Sequence, residues 1–268
     1  MKPTRSISAQ ALGPEGARDV ARSLPEEVPV AVTVNGSTQA VMMCTPADLR
    51  DFATGFAFTE GFATPDQIES LDIVETDHGI EARFWVPDAI ADALGERRRA
   101  MMGPVGCGLC GIDSLEQALR DLPVLGQGGS IGLAEAAKAP DALRGHQPLH
   151  DLTHAVHAAG LLLGNGLILA REDVGRHNAL DKLIGAALRD GHDLSQAAIV
   201  LTSRVSVEMV QKTVLAGCPI LIAVSAPTAH AVRLAEAANL TIAAFARDGR
   251  LETFTHPNRI DRSKIHAA

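Results

Sequence analysis

The sequence is poor in aromatic residues and contains no tyrosine. Of 268 residues, one is tryptophan and seven are phenylalanine, so that 3% are aromatic. Proteins that bind single-stranded nucleic acids stack bases on aromatic side chains, so this composition argues against an extended base-stacking platform. The formal net charge of −8 argues against general nucleic-acid binding, which needs a basic surface. We therefore expect no nucleic-acid partner.

Long apolar runs are also missing. No uninterrupted apolar run approaches the ~18 residues of a membrane-spanning helix, although the mean hydropathy is +0.11. The first ten residues carry positive charge, but no apolar segment of the kind found in secretory signal peptides follows them. The sequence therefore predicts a cytoplasmic protein with no membrane partner.

The four cysteines are spread along the chain, and only Cys107 and Cys110 are close in sequence. They stand in the motif GCGLCG, whose glycines permit backbone conformations that other residues avoid, so we expect a mobile, exposed loop. Two thiols at this spacing can bind a metal, cycle a disulfide, or carry and resolve a persulfide. Cys44 and Cys218 have no partner nearby in sequence and are interpreted as small buried residues.

A zinc site is one alternative for the two close cysteines. Structural zinc takes four Cys or His ligands, and the chain has no second C-x-x-C motif. His150, His154 and His157 could supply the missing ligands. A zinc deaminase is disfavoured, because the H-x-E signature is absent and Pro104 lies three residues before Cys107 instead of next to it. Our expectation is that no metal is bound.

Hydrophobic patterning and turn signals divide the chain into three parts. Residues 1–27 are polar and broken by prolines, which predicts a flexible arm. Residues 28–125 predict a smaller α+β region with β-hairpins, ending in the loop that carries the two cysteines. Residues 126–268 predict an α/β domain with a mixed sheet covered by helices, largely parallel and closed by an antiparallel edge hairpin. Within this domain, the pattern of residues 152–163 predicts a helix. The expected fold class is α/β, or α+β for the whole chain.

Polar side chains follow two predicted strands of this domain, where each strand ends and a helix begins. The first segment is EDVGRHNALDK at 172–182, and the second is SRVSVEMVQK at 203–212. Open α/β sheets bind ligands at the carboxyl ends of their strands, and helix N-termini suit phosphate. Helix capping by the serines and a solvated lysine are the alternatives. The candidate ligand-binding residues are Arg176, His177, Asn178, Lys182, Ser203 and Arg204.

Five segments in a fixed order carry a resemblance to a known family. They are CGLCG at 107–111, EDVGRHNALDK at 172–182, SRVSVEMVQK at 203–212, SAPTAHAVRLA at 225–235 and FARDGR at 245–250. Together they resemble the FdhD family, accessory sulfur carriers of formate dehydrogenase, over most of the chain. A lone C-x-x-C would be weak support, whereas the ordered set is specific.

The resemblance implies a sulfurtransferase. Family members take persulfide sulfur from a cysteine desulfurase and transfer it to the molybdenum or tungsten bis-molybdopterin guanine dinucleotide cofactor. The cofactor is then inserted into the catalytic subunit of formate dehydrogenase. By motif, Cys107 would carry the persulfide and Cys110 would assist or resolve it. The resemblance further implies a homodimer and a cytidine-deaminase-like domain without zinc.

The resemblance also assigns a cofactor-binding segment. Its residues here are Phe245, Ala246, Arg247, Asp248, Gly249 and Arg250. Taken alone, the segment predicts an Asp-Gly hairpin turn, although its arginines could also contact phosphates. A GDP-like guanine nucleotide would then serve as an analogue of the acceptor. The family commonly has tyrosine where this chain has Phe254, so no phenol hydroxyl is available there. The alternative function is a non-enzymatic cofactor-binding chaperone whose cysteines are secondary.

Overall fold

The computed structural model describes residues 1–101, 121–164 and 166–263. The chain begins with a two-stranded antiparallel ribbon, β1 (Thr4–Gly13) and β2 (Gly16–Pro25). This regular hairpin replaces the loose arm expected for residues 1–27. Both faces of the ribbon are largely exposed, so its strands carry little of the alternation that reveals half-buried strands in a sequence.

A four-stranded sheet follows, called here the N-terminal sheet. Its strands are β3 (Val28–Val34), β4 (Ser37–Cys44), β5 (Ser70–Thr76) and β6 (Gly79–Trp85), in the spatial order β4-β3-β6-β5. Two helices accompany it, α1 (Leu49–Thr59) and α2 (Asp88–Met101). The β-hairpins predicted for this region are confirmed as β3–β4 and β5–β6. Phe52, Phe56 and Phe84 fill the core between this sheet and α1.

The second half of the chain builds a six-stranded sheet, called the central sheet. It follows three elements, the short strand β7 (Ile131–Gly132) and the helices α3 (Leu133–Arg144) and α4 (Pro148–Thr153). Its strands are β8 (His157–Leu163), β9 (Gly166–Asp173), β10 (Ala198–Leu201), β11 (Ile220–Ala223), β12 (Thr241–Arg247) and β13 (Arg250–Thr253). The remaining helices are α5 (Arg176–Arg189), α6 (Val207–Leu215) and α7 (Ala229–Ala237), and a short last strand, β14 (Ile260–Asp261), pairs with β7.

The central sheet is mixed, as expected, but it is less parallel than the sequence indicated. Its order is β13-β12-β11-β10-β8-β9, and only β10–β11 and β11–β12 pair in parallel. Residues of α5, α6 and α7 pack on one face, and α3 covers the other. The fold is therefore a mixed α/β architecture with the sheet as its middle layer.

The helix predicted over 152–163 is wrong. The chain instead ends α4 at Thr153, turns at His154 in a left-handed conformation, and enters β8. This strand lies in the sheet interior between β9 and β10, and a Cβ at Gly160 would crowd Leu143 and Val200. Burial on both faces thus overrides the helix propensity of its alanines and leucines.

The two sheets are joined by a close crossing of α1 and α5. A Cβ at Gly55 would lie 1.9 Å from the carbonyl oxygen of Asp181, and a Cβ at Gly185 would lie 1.9 Å from that of Asp51. Only glycine lets the two helix backbones approach this closely. None of the helices in the described part of the chain combines the length and the apolar character needed to cross a membrane.

Candidate functional site

The signature segments of the second half meet at one edge of the central sheet. His157 opens β8 opposite Asp173, the last residue of β9, and Leu201 ends β10 opposite Ala159 of β8. Strands β10, β11 and β12 run in parallel, so their carboxyl ends lie at that same edge. We call this the carboxyl edge. It is the position at which open α/β sheets bind ligands.

Backbone hydrogen bonds hold the loops of the carboxyl edge side by side. The amide of Val205 donates to the carbonyl of Ala226 over 3.2 Å, and the amide of Thr228 donates to that of Val205 over 3.0 Å. The amide of Phe245 donates to the carbonyl of Ser225 over 3.4 Å. Three segments that are far apart in sequence, 203–212, 225–235 and 245–250, therefore form one continuous surface.

A histidine–glutamate pair links the first turns of α5 and α6. Nε2 of His177 lies 2.8 Å from Oε2 of Glu208, and the hydroxyl of Ser206 donates to the same oxygen over 3.3 Å. The bond to His177 is the main reason why the pKa of Glu208 falls to about 2. Close by, burial lowers the pKa of His157, and the charges of Arg176 and His177 lower it further. The cluster favours a carboxylate at 208 and a neutral imidazole at 157.

Replacing Glu208 with glutamine should remove an acid-sensitive contribution to stability. The folded state lowers the pKa of Glu208 from 4.5 to about 2, so its carboxylate stabilises the fold fully above pH 4.5 and loses that effect as the pH falls toward 2. We expect the melting temperatures of wild type and Glu208→Gln to differ most near neutral pH and to converge as the pH falls to about 2. His177→Gln should behave alike. An equal difference at both pH values would contradict this assignment.

The segment 245–250 forms the outer corner of the carboxyl edge. Asp248 and Gly249 have φ values of 52° and 70° and form the predicted tight turn, which Arg247 and Arg250 close as a pair. Phe245 also has a positive φ, 51°, next to an irregularity in the β12–β13 register. Its ring is 37% exposed and lies 6.1 Å from that of Phe254, which is 38% exposed. An aromatic pair and two exposed arginines therefore face solvent together.

Two candidate ligand-binding residues are used inside the protein instead. The ammonium of Lys182 is fully buried, lies 2.7 Å from Oδ2 of Asp173, and donates to the carbonyl of Thr45 over 3.0 Å. Nδ2 of Asn178 donates to Oδ1 of Asp173 over 3.0 Å and to the carbonyl of Met43 over 2.7 Å. Their side chains fasten the end of β4 to the central sheet and leave no surface for a ligand.

The other candidate ligand-binding residues differ in their exposure to solvent. Arg204, Arg247, Asp248, Gly249 and Arg250 are exposed at the carboxyl edge, and Arg176 and His177 are half-buried there. Ser203 is buried and donates to the carbonyl of Arg204 over 3.1 Å, while Ala246 lies in the core beneath α3. The exposed and half-buried set remains the predicted ligand surface.

Sequence reasoning missed a second buried ion pair behind this surface. The ammonium of Lys212 lies 3.0 Å from both carboxylate oxygens of Asp181 and donates to Thr59 of α1 over 2.9 Å and to Glu60 over 3.0 Å. It also lies 5.3 Å from the ring centre of Phe56. The available signal was a charged residue on the apolar face of a predicted helix, which is uncommon without a buried partner.

The cysteines separate into two kinds. Cys107 and Cys110, the predicted catalytic pair, lie outside the described residues. Cys44 and Cys218 are buried, as predicted, and burial raises the pKa of both thiols, that of Cys218 to about 12. Neither thiol ionises near neutral pH, and burial keeps both sulfurs from contact with another protein. Within the described ranges, no three His, Cys, Asp or Glu residues converge as a metal site.

Comparisons with known proteins agree with the resemblance seen in the sequence. A model of the FdhD/NarQ family matches residues 25–261. A sulfur carrier protein FdhD of Agrobacterium fabrum is 50% identical over 89% of each chain, and one of Brucella abortus is 49% identical over 98% of each. A crystal structure from Desulfotalea psychrophila, provisionally described as a formate dehydrogenase accessory protein, superposes with a TM-score of 0.77 at 25% identity. It covers 96% of this chain and 99% of its own.

Proposed function

Because the chain belongs to the FdhD/NarQ family, we propose that it carries sulfur to formate dehydrogenase as a persulfide on Cys107, with Cys110 assisting or resolving it. The burial of Cys44 and Cys218 is the observation that carries this assignment. A sulfur carrier needs a thiolate that can reach a donor and then an acceptor. Two of the four cysteines are sealed in the core with raised pKa values, so the chemistry falls to the remaining pair.

The loading step is a thiol–persulfide exchange. The thiolate of Cys107 attacks the terminal sulfur of a persulfide on a cysteine desulfurase. A sulfur–sulfur bond forms on Cys107 as the bond in the donor breaks, and the donor cysteine leaves as a thiolate that takes up a proton. No net oxidation occurs. Three of the four residues next to these cysteines in sequence are glycines, which have no side chain that could hinder this attack.

The substrate that receives the sulfur is the molybdenum or tungsten bis-molybdopterin guanine dinucleotide, before its insertion into the catalytic subunit of formate dehydrogenase. The carboxyl edge suits such a ligand. Exposed Arg204, Arg247 and Arg250 can pair with pyrophosphate oxygens, and the exposed ring of Phe245 offers a stacking surface to guanine. A homodimer of this chain would carry out these exchanges in the cytoplasm.

Mass spectrometry after incubation with a cysteine desulfurase and cysteine tests the proposal. We expect one added sulfur on the peptide that contains Cys107 and Cys110, removed by reductant and absent from Cys107→Ala. The peptides with Cys44 and Cys218 serve as internal controls and should carry none. Cys107→Ala should also leave formate dehydrogenase inactive.

The same samples discriminate the alternative, a cofactor-binding chaperone. Its support is that the exposed arginines and aromatic rings of the carboxyl edge are remote in sequence from the cysteine motif. If no sulfur is loaded, while GDP still binds and the variant without both cysteines still activates formate dehydrogenase, the chaperone function replaces sulfur transfer.

A further inference from the structure

Arg176 differs from the other arginines that the fold covers. Three arginines of the described residues are buried or half-buried: Arg171, Arg176 and Arg259. Nε of Arg171 donates to Oδ2 of Asp51 over 2.8 Å, and Arg259 donates to four oxygens of neighbouring segments. The Nε of Arg176 is also buried, yet it meets no hydrogen-bond acceptor in the described part of the chain. A buried donor without a partner is uncommon and lowers stability, so this one calls for a physical reason.

The carboxylates around the first turn of α5 are bound to other donors. Oδ2 of Asp173 lies 2.7 Å from the ammonium of Lys182. The two oxygens of Glu172 each accept a backbone amide of α4 over 2.8 Å. Oε2 of Glu208 lies 2.8 Å from Nε2 of His177. None of these three carboxylates pairs with the guanidinium of the first turn, so they do not neutralise its charge.

The charge of Arg176 acts on groups of two neighbouring elements. Burial is the main cause of the lowered pKa of His157 in β8, and the charge of Arg176 comes next. The bond to His177 is the main cause of the lowered pKa of Glu208 in α6, and Arg176 makes a smaller contribution. Arg176 therefore lies close to both elements at the carboxyl edge. The neutral imidazole of His157 leaves the guanidinium as the cation on that side.

The backbone next to Arg176 also favours an anion. Helix α5 is 14 residues long, and its dipole places partial positive charge at this end. Gly175 is its N-cap residue, and no side chain caps the amides of the first turn. A Cβ at Gly175 would lie 2.9 Å from Nδ2 of Asn178, so the packing disfavours a side chain there. Uncapped helix amides and the fork of an arginine are groups that proteins commonly use to bind phosphate.

We propose that Arg176, together with the first-turn amides of α5, binds a phosphate group of the ligand at the carboxyl edge. The residue is half-buried and no described acceptor holds its Nε, so a rotation of the side chain can bring its donors to the phosphate. The planar guanidinium matches two phosphate oxygens at once. The inference rests on the proposed function, whose acceptor carries guanine nucleotides with pyrophosphates, and it adds a phosphate subsite on α5 to the arginines already assigned.

An arginine that is kept unpaired for a ligand lowers stability while the ligand is absent. Arg176→Met keeps the length and helix propensity of the side chain but removes the charge and the buried donor. We expect its melting temperature without ligand to equal or exceed that of wild type. Saturating GDP should raise the melting temperature of wild type more than that of the variant. A ligand-free variant that melts clearly below wild type would show a structural arginine and overturn the proposal.

Isothermal titration calorimetry of the full chain measures the affinity directly. We expect Arg176→Met to raise the Kd for GDP at least about tenfold, because a charged hydrogen-bond donor to phosphate is lost. Inorganic pyrophosphate, which lacks guanine, should show a similar factor. Arg22→Met is the matched control, because it removes the same charge from an exposed position on the ribbon and should bind like wild type. Equal affinities of wild type and Arg176→Met for both ligands, or no binding by wild type, would overturn the proposal.

Sulfur loading of the wild type separates this proposal from the proposed function. If wild type accepts no sulfur on Cys107 while GDP binding depends on Arg176, sulfur transfer fails and the phosphate subsite stands. If sulfur is loaded, while wild type and Arg176→Met bind GDP and pyrophosphate equally well, the subsite alone fails.

Discussion

Gly185→Ala should lower the melting temperature of the protein by roughly 4–8 °C. The new Cβ would lie 1.9 Å from the carbonyl oxygen of Asp51 and 2.7 Å from the amide nitrogen of Gly55. Both atoms belong to the backbone of α1, so relief requires the helices to move apart. Overpacking of this kind costs about 3 kcal/mol, more than the ~1 kcal/mol that alanine adds through helix propensity. For a chain of this size, each kcal/mol lowers the melting temperature by roughly 2–4 °C.

The reciprocal substitution on α1 and a substitution that is expected to leave the melting temperature unchanged complete this experiment. Gly55→Ala should have a similar effect, because its Cβ would meet the carbonyl oxygen of Asp181 at 1.9 Å. Gly126→Ala is the control: nothing lies within 4 Å of its Cβ position, and its φ is not left-handed. Differential scanning fluorimetry measures all three. A melting temperature for Gly185→Ala that equals that of Gly126→Ala would show that the crossing can open without cost.

Neutralising one partner of the Lys212–Asp181 pair should destabilise the fold by about 3–5 kcal/mol. Burial pushes the pKa of Asp181 upward, yet the ammonium lies 3.0 Å from both of its oxygens, so we assign an ionised pair. Burial also disfavours the charged lysine, but Asp181 and Glu60 outweigh it and raise the pKa of Lys212. Asp181→Asn leaves a buried ammonium, and Lys212→Met leaves a buried carboxylate. Denaturant unfolding measures both losses.

Two further variants show whether the loss comes from an unpaired buried charge. In the double variant Asp181→Leu/Lys212→Met neither charge remains, so it should be more stable than the sum of the single losses implies. Glu81→Gln breaks the exposed ion pair with Arg83 and should cost at most about 1 kcal/mol. Additive losses in the double variant would refute the coupling between Lys212 and Asp181.

Most elements of the central sheet could be predicted, because each carries its own local signal. The strands β10, β11 and β12 are short apolar runs, and each of the first two is followed by a polar segment that starts a helix. The convergence of these segments follows from their order along a sheet. The helix α3 was not assigned, and it contains Pro140, which normally interrupts a helix.

The parts that could not be predicted depend on contacts between distant segments. From the sequence alone, the ammonium groups of Lys182 and Lys212 would be expected to contact a ligand or solvent. Nothing in the neighbouring sequence shows that Thr45 and Thr59 lie against them in the fold. The same holds for Asn178, whose partner is the carbonyl of Met43, 135 residues earlier. Polar residues next to a predicted site are thus ambiguous until the packing of the other half of the chain is known.

The left-handed backbone at Phe245 lowers the stability of the fold, and the partly exposed ring does not compensate for that loss. A residue with a Cβ, such as phenylalanine, is strained at a φ of 51° by about 1–3 kcal/mol, whereas glycine adopts this conformation freely. Burial returns little of that loss, because the ring stays partly in solvent beside Phe254. Under selection for thermal stability alone, this position would drift toward glycine or asparagine. Phenylalanine is the expected choice only while whatever contacts the ring adds more to fitness than the strain removes.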